Sequence, residues 1–295
     1  MRIFILKLLR LVFLLILSQT ILIVVYFKCD FYPIISSTDK EISSSAIYIL
    51  GNSHSQCAIN DELLPSEFIN ISQSSEPLFY TCAKARYILE KGMNDTIVIE
   101  FTNISPLTTD WVLGEGHFVR NLKRYAKKID FFQHEYLFKK SPGKYIKSIM
   151  SLSLFDFLEM NRIDGGYKKL ERFEISNEVV NFENRWIPND AKMKSFSDQE
   201  NKLNFMELKR LINEFPKTHF ILIRSPMHIS FEYFEENHFL RQVKELSNEV
   251  NVDFFDFSHE VTNNSLFGDA EHLNYLGANY FTPVFIEVIR KTSSK

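Results

Sequence analysis

Five short apolar runs, separated by longer stretches of helical character, constrain this chain more than any other feature. The runs are Ala46–Leu50 (AIYIL), Glu67–Ile71, Thr96–Phe101 (TIVIEF), His219–Ile223 (HFILI) and Val252–Phe257 (VDFFDF), the second being the weakest. Each is short for a helix, and most are too continuously apolar for a strand with one wet face, so they read as strands buried on both sides. Helical stretches cover Leu78–Lys91, Asp198–Phe215, Phe231–Val250 and Tyr275–Lys291, with Gly277 and Pro283 marking irregularities or first turns in the last. Such alternation predicts an α/β domain, a five-stranded parallel sheet with helices on both faces. Sites in these folds lie at the carboxyl edge of the sheet.

One stretch breaks the alternation. Residues 105–189 carry aromatic and basic side chains but no strand pattern, with helix-like segments near Phe118–Ile129 and Tyr145–Met160. They read as a helical insertion between the third and fourth strands, lying over the carboxyl edge. Closure over a substrate and a merely stabilising flap are both open readings of it.

The N-terminus is apolar and uncharged from Leu11 to Phe27, and the apolar character reaches back to Ile3 around Lys7 and Arg10. A helix of that run spans about 25 Å, and Lys7 and Arg10 can snorkel to supply the turn still needed for a bilayer core. Arg2, Lys7 and Arg10 ahead of the run predict a cytoplasmic N-terminus and an exported remainder at the cytoplasmic membrane, periplasmic or on the cell surface. No A-x-A-like site follows, and Lys28 precedes Cys29 where a lipoprotein signal wants a small residue. The reading is therefore an uncleaved anchor over residues 1–29, with a cleaved signal peptide as its competitor. A polar tether (30–45) follows, and the domain occupies 46–295.

The net charge of −3 and pI near 6.3 argue against a nucleic-acid binder. Lys123, Arg124, Lys127 and Lys128 leave a local contact with an acidic polymer open. Cys29, Cys57 and Cys82 form neither a disulfide framework nor a CxxC pair, although a Cys57–Cys82 bridge is open outside the cytoplasm. His117, His134, His219, His238 and His259 show no ligand spacing, so neither metal nor cofactor is expected.

Two segments carry the chemistry. In Tyr48-Ile-Leu-Gly-Asn-Ser-His-Ser55 a strand ends, Gly51 permits a tight turn, and Ser53 stands at a helix start beside backbone N–H groups suited to an oxyanion. Helix capping by Asn52 or Ser53 is the plainer reading of that segment alone. Near the other end stands Phe267-Gly-Asp-Ala-Glu-His-Leu-Asn274, where Asp269 and His272, three apart, share one face of a helical turn. A carboxylate there can orient an imidazole that takes a proton from serine.

Gly51-Asn52-Ser53 with a terminal Asp269-x-x-His272-Leu-Asn resembles the SGNH or GDSL hydrolase superfamily, and the resemblance frames the region from Ala46 to about Phe285. It implies a flavodoxin-like three-layer α/β/α fold with Ser53 as nucleophile, His272 as base and Asp269 as its partner. The family's oxyanion hole adds a glycine N–H after the second strand and an asparagine after the third. Gly92-Met-Asn-Asp95 matches that string literally, but it precedes the third strand and belongs to the opposite edge. Asn103 is the better-placed asparagine, and Ile71-Ser-Gln-Ser-Ser75 replaces the glycine block, with Ser74 or Ser75 to supply the N–H. Arg224 and His228, after the fourth strand, are candidate substrate contacts, and so is His54, for which an ordinary polar helix position is the alternative.

The implied activity is hydrolysis of an ester, or transfer of an acyl group, acetyl by analogy, on a cell-surface carbohydrate through a Ser53 acyl-enzyme. Proteins of similar topology work beside a multispanning membrane acyltransferase, which makes such a partner an expectation. The second class is a weakly active or inactive SGNH-fold protein that binds or scaffolds polysaccharide, motivated by the eroded middle blocks.

Overall fold

The computed structural model describes residues 2–28, 34–35, 40–41, 46–91, 95–102, 117–151, 162–163, 165–171, 201–229 and 236–293. The N-terminal run forms a single helix, α1 (Arg2–Lys28). Its segment Phe4–Ile21 has a mean hydropathy of 2.0 and is long and apolar enough to cross a membrane. The region read as an irregular tether instead contributes β1 (Ile34–Ile35) and β2 (Lys40–Glu41), which pair antiparallel. β1 also pairs in parallel with β6 (Arg162–Ile163), a strand inside the insertion where the sequence pattern showed none. Two-residue strands are too short to leave a periodic signature.

The main sheet contains β3 (Ile47–Leu50), β4 (Phe68–Asn70), β5 (Thr96–Glu100), β7 (His219–Arg224) and β8 (Val252–Asp256). All pairs are parallel and the spatial order is β4-β3-β5-β7-β8. Counted within the sheet this is 2-1-3-4-5, the flavodoxin-like order. All five expected strands are present, each within a residue or two of its expected bounds.

Side-chain alternation divides the sheet between two apolar layers. Tyr48, Leu50, Ile97, Ile99, Phe220 and Leu222 point to one face, against α3 (Leu78–Glu90), α7 (Asn201–Glu214) and α8 (Glu236–Leu246). Ile49, Val98, Ile221 and Ile223 point to the other, against α2 (Ser53–Ala58), Phe257, Phe267 and α9 (Tyr275–Ser293). The helical expectation of Phe231–Val250 contracts to α8, residues 230–235 lying outside the described set.

Among the described residues the insertion contributes three helices: α4 (His117–Tyr125), α5 (Phe131–Lys140) and α6 (Pro142–Met150). Helix α5 falls between the two helix-like segments singled out in the insertion. Its signal is nevertheless present in the sequence: Asp130 and Gln133 form a capping box. Leu122, Tyr125, Ala126, Ile129 and Leu137 pack on Phe79, Tyr80 and Ala83 of α3, so these helices dock on its outer side. Tyr125 of α4 reaches the loop after β4 at the carboxyl edge, donating its hydroxyl to Glu76, and residues 165–171 reach the same edge. There Gly166 N–H donates to Ser72 O (3.1 Å) and Lys168 N–H to Gln56 O (2.9 Å). At Gly165, with φ of +152°, a Cβ would meet the Ile71 carbonyl oxygen at 2.2 Å, so the strap requires glycine.

Candidate active site

β3 delivers the chain to the carboxyl edge and stops at Gly51. A Cβ on Gly51 would lie 2.6 Å from Glu100 Cβ and 2.5 Å from Ser55 Oγ, so close approach to the end of β5 dictates this glycine. Asn52 caps α2, its side chain accepting the His54 N–H at 2.8 Å. Ser53 is therefore the first residue of the helix, and among the described residues its own N–H makes no hydrogen bond, as is usual at a helix N-terminus. The capping role belongs to Asn52, which leaves the Ser53 hydroxyl free for other partners.

The second half of the site is a closed turn after β8. Phe267 and Leu273 form an antiparallel bridge, and Gly268 N–H donates to His272 O at 2.9 Å. Within it Asp269 Oδ1 accepts the backbone N–H groups of Glu271 (3.0 Å) and His272 (2.8 Å). Asp269 and His272 thus meet through a side-chain-capped turn, where the sequence reading expected a turn of helix. The same Oδ1 lies 2.8 Å from His272 Nδ1, and His272 Nε2 lies 2.8 Å from Ser53 Oγ. An ionised carboxylate only accepts, so Nδ1 carries the proton and Nε2 is left to accept from the serine hydroxyl. Burial opposes the Asp269 charge, but its bonds to His272 and the two amides outweigh it and hold the carboxyl below the usual aspartate range.

Beneath Ser53 lies a second set of charges. Glu100, fully buried at the end of β5, accepts from Asn52 N–H (3.2 Å), Ser55 N–H (3.0 Å) and Ser55 Oγ–H (2.6 Å) through Oε2. His54 is buried too, its Nδ1 3.5 Å from Glu100 Oε1 and its Nε2 3.3 Å from Glu271 Oε2. Burial alone would lower the His54 pKa, but the two carboxylates prevail and push it up to about 10. Glu100 and Glu271 shift the opposite way: burial opposes their charge, and His54 holds both below the usual glutamate range. His54 is thus a buried cation, not an ordinary polar helix position. Glu100 and Glu271 were not singled out from sequence, although a lone glutamate closing an apolar strand (TIVIE) and the D-A-E-H string were visible signals.

The other expected site residues are placed as follows. Ser74 N–H and Oγ–H both donate to Gln56 Oε1, at 2.8 and 2.5 Å, so that amide is already engaged. Ser75 adopts φ of +60°, strained for a residue with a Cβ, and among the described residues its N–H makes no hydrogen bond. Asn103 lies outside the described residues, as do residues 92–94, while Asp95 precedes β5 at the amino edge. Arg224 is 1% exposed; it forms a two-pronged pair with Glu236 (2.8 and 2.8 Å), contacts Asp256 (3.2 Å) and stacks on Phe239. His228 is buried, with Nε2 2.9 Å from Asn264 Oδ1 and its N–H donating to Ala270 O. Both therefore brace β7, α8 and the 264–270 loop, and neither is presented to a substrate.

His54, Glu271 and His272 bring three donor atoms within 4.8 Å of one another. They do not fit a metal ion, because both His272 nitrogens are engaged by Ser53 and Asp269 and His54 carries a proton. Cys57 and Cys82 are buried free thiols, which settles the question of a bridge between them.

A profile of an uncharacterised protein family matches residues 187–294, a span that contains Asp269, Glu271 and His272 but not Ser53. No curated protein matches the chain significantly.

Proposed function

We propose that the protein is a membrane-anchored serine esterase or O-acyltransferase of the SGNH type, acting on an acyl ester, acetyl by analogy, of a cell-surface carbohydrate. The observation that carries this reading is the unbroken line Ser53 Oγ, His272 Nε2, His272 Nδ1, Asp269 Oδ1, each contact 2.8 Å, assembled from residues 219 apart. In the first step Ser53 Oγ bonds to the ester carbonyl carbon as His272 takes its proton. The carbonyl oxygen becomes an oxyanion, for which the N–H groups of Ser53 and Ser75 are the donors. Collapse breaks the ester C–O bond and His272 returns the proton to the leaving oxygen. Water or a sugar hydroxyl then attacks the acyl-enzyme by the same route, giving hydrolysis or transfer.

Helix α1 supports attachment to the cytoplasmic membrane, and Arg2, Lys7 and Arg10 favour a cytoplasmic N-terminus with the domain outside. A multispanning acyltransferase partner rests on that topology by analogy alone. A second reading, a weakly active scaffold that binds polysaccharide, is favoured by one observation: the Ser74 amide is committed to Gln56. Incubation of the full-length chain in detergent with a fluorophosphonate, wild type beside Ser53→Ala, separates the two. Labelling that maps to Ser53 by intact and peptide mass supports the esterase. Folded wild-type protein that stays unlabelled removes it and leaves the scaffold.

A further inference from the structure

The hydrolytic line uses Ser53, His272 and Asp269, and leaves unexplained why the residue beside the nucleophile is a buried histidine held between two carboxylates. An exposed polar residue would satisfy a helix start equally well, and burying three ionisable groups is costly unless each is paired. The pairing here follows a definite path. Glu100 closes β5 and holds the Asn52 and Ser55 amides, which fixes both flanks of Ser53. His54 faces Glu100 on one side and Glu271 on the other. Glu271 sits between Asp269 and His272 in the closed turn, and its own N–H donates to Asp269 Oδ1 at 3.0 Å.

We propose that His54 is a positioning residue, an imidazolium that ties the nucleophile turn to the Asp269–His272 turn and so sets the Ser53-to-His272 distance. This rests on the serine-nucleophile reading. The two turns belong to distant parts of the chain, and the main sheet brings β3 and β8 to the same edge without pairing them with each other. Among the described residues, the Glu100–His54–Glu271 chain is the ionic link that joins them beside the reacting serine. The charged or titratable groups around His54 are Glu100 from β5, and Glu271, Asp269 and His272 from the turn, with the two imidazole rings 5.2 Å apart. Loss of the His54 proton breaks the chain in the middle.

The test measures the second-order rate of fluorophosphonate labelling at Ser53, from pH 6 to 10.5, on the full-length chain in detergent. Wild type, Ser53→Ala, His54→Gln and Glu271→Gln are compared. His54→Gln keeps a hydrogen-bonding side chain and removes the charge. Glu271→Gln alters a side chain that is 39% exposed and serves if the buried variant fails to fold. At pH 7.5 both variants are expected to label at least tenfold more slowly, with the loss in the maximal rate and not in probe affinity. Wild type is expected to slow as the pH approaches 10, and His54→Gln to lack that alkaline limb. Labelling of His54→Gln within twofold of wild type, with an unchanged pH profile, overturns the proposal while leaving the nucleophile intact.

Thermal unfolding of the same proteins stands apart from the serine chemistry. A histidine whose pKa rises on folding stabilises fully below its unfolded value near 6.5, and that stabilisation disappears as the pH rises through about 10. The melting-temperature gap between wild type and His54→Gln should therefore be widest near pH 6 and close by pH 10.5. A gap that stays constant overturns the ionic tie whether or not Ser53 is labelled. An unlabelled wild type with a closing gap removes the catalytic purpose and keeps the tie.

Discussion

Gly51→Ala is the most informative single substitution, because its effect follows from three distances. The new Cβ would stand 2.5 Å from Ser55 Oγ, 2.6 Å from Glu100 Cβ and 2.7 Å from Glu100 Oε2, where ordinary contact begins at 3.4 Å. Glu100 Cβ belongs to a strand paired with β3 on one side and β7 on the other, so it cannot withdraw without distorting the centre of the sheet. Overpacking of a filled core costs about 1–3 kcal/mol. Moving the carboxylate also weakens its bonds to Asn52 and Ser55, and a hydrogen bond to a charged group is worth roughly 1.5–3 kcal/mol. The combined destabilisation is about 3–5 kcal/mol, which for a domain of this size lowers the melting temperature by roughly 10 °C. Circular dichroism melts of the full-length chain in detergent measure it, with fluorophosphonate labelling alongside. A Gly51→Ala protein that melts within about 2 °C of wild type would refute the claim that contact with Glu100 dictates this glycine.

Three further outcomes follow from the geometry. Asp269→Asn should cut the labelling rate at Ser53 by about 10³–10⁴, because an amide no longer enforces the Nδ1–H tautomer. Since Asp269 titrates below the usual aspartate range in the fold, its stabilisation is present above about pH 4 and is lost as the pH falls further; the variant should lack that acid-dependent component. Tyr125→Phe removes a hydroxyl bonded to the buried Glu76 carboxylate, which also accepts from Lys84 Nζ at 2.8 Å; a loss of about 1.5–3 kcal/mol in denaturant titration is expected, and an unchanged midpoint would show that α4 does not brace the 72–76 loop. Burial pushes the Cys57 thiol up to about 12 and raises Cys82 further still, so iodoacetamide at pH 8 should modify neither residue until the protein unfolds, as peptide mapping would reveal.

The sequence by itself determined the sheet and the two ends of the site. Continuous apolar runs can be satisfied only between two helical layers, which made β3, β5 and β7 legible without any knowledge of their neighbours. Gly51-Asn52-Ser53 and Asp269-x-x-His272 were legible because a hydroxyl, an imidazole and a carboxylate in those local settings have few other uses in common. What only the tertiary structure decided lies in contacts between segments remote in sequence. Glu100 was not singled out until the fold placed it under the Ser53 turn. His54 looked like a helix position until Glu271 arrived from the other end of the chain to keep its charge. Arg224 and His228 were correctly expected at the carboxyl edge, but their partners Glu236, Asp256 and Asn264 turned them inward. Local pattern reports which atoms a residue can offer; the partner that accepts them is chosen by packing, and ionisable groups reveal their role only once that partner is in place.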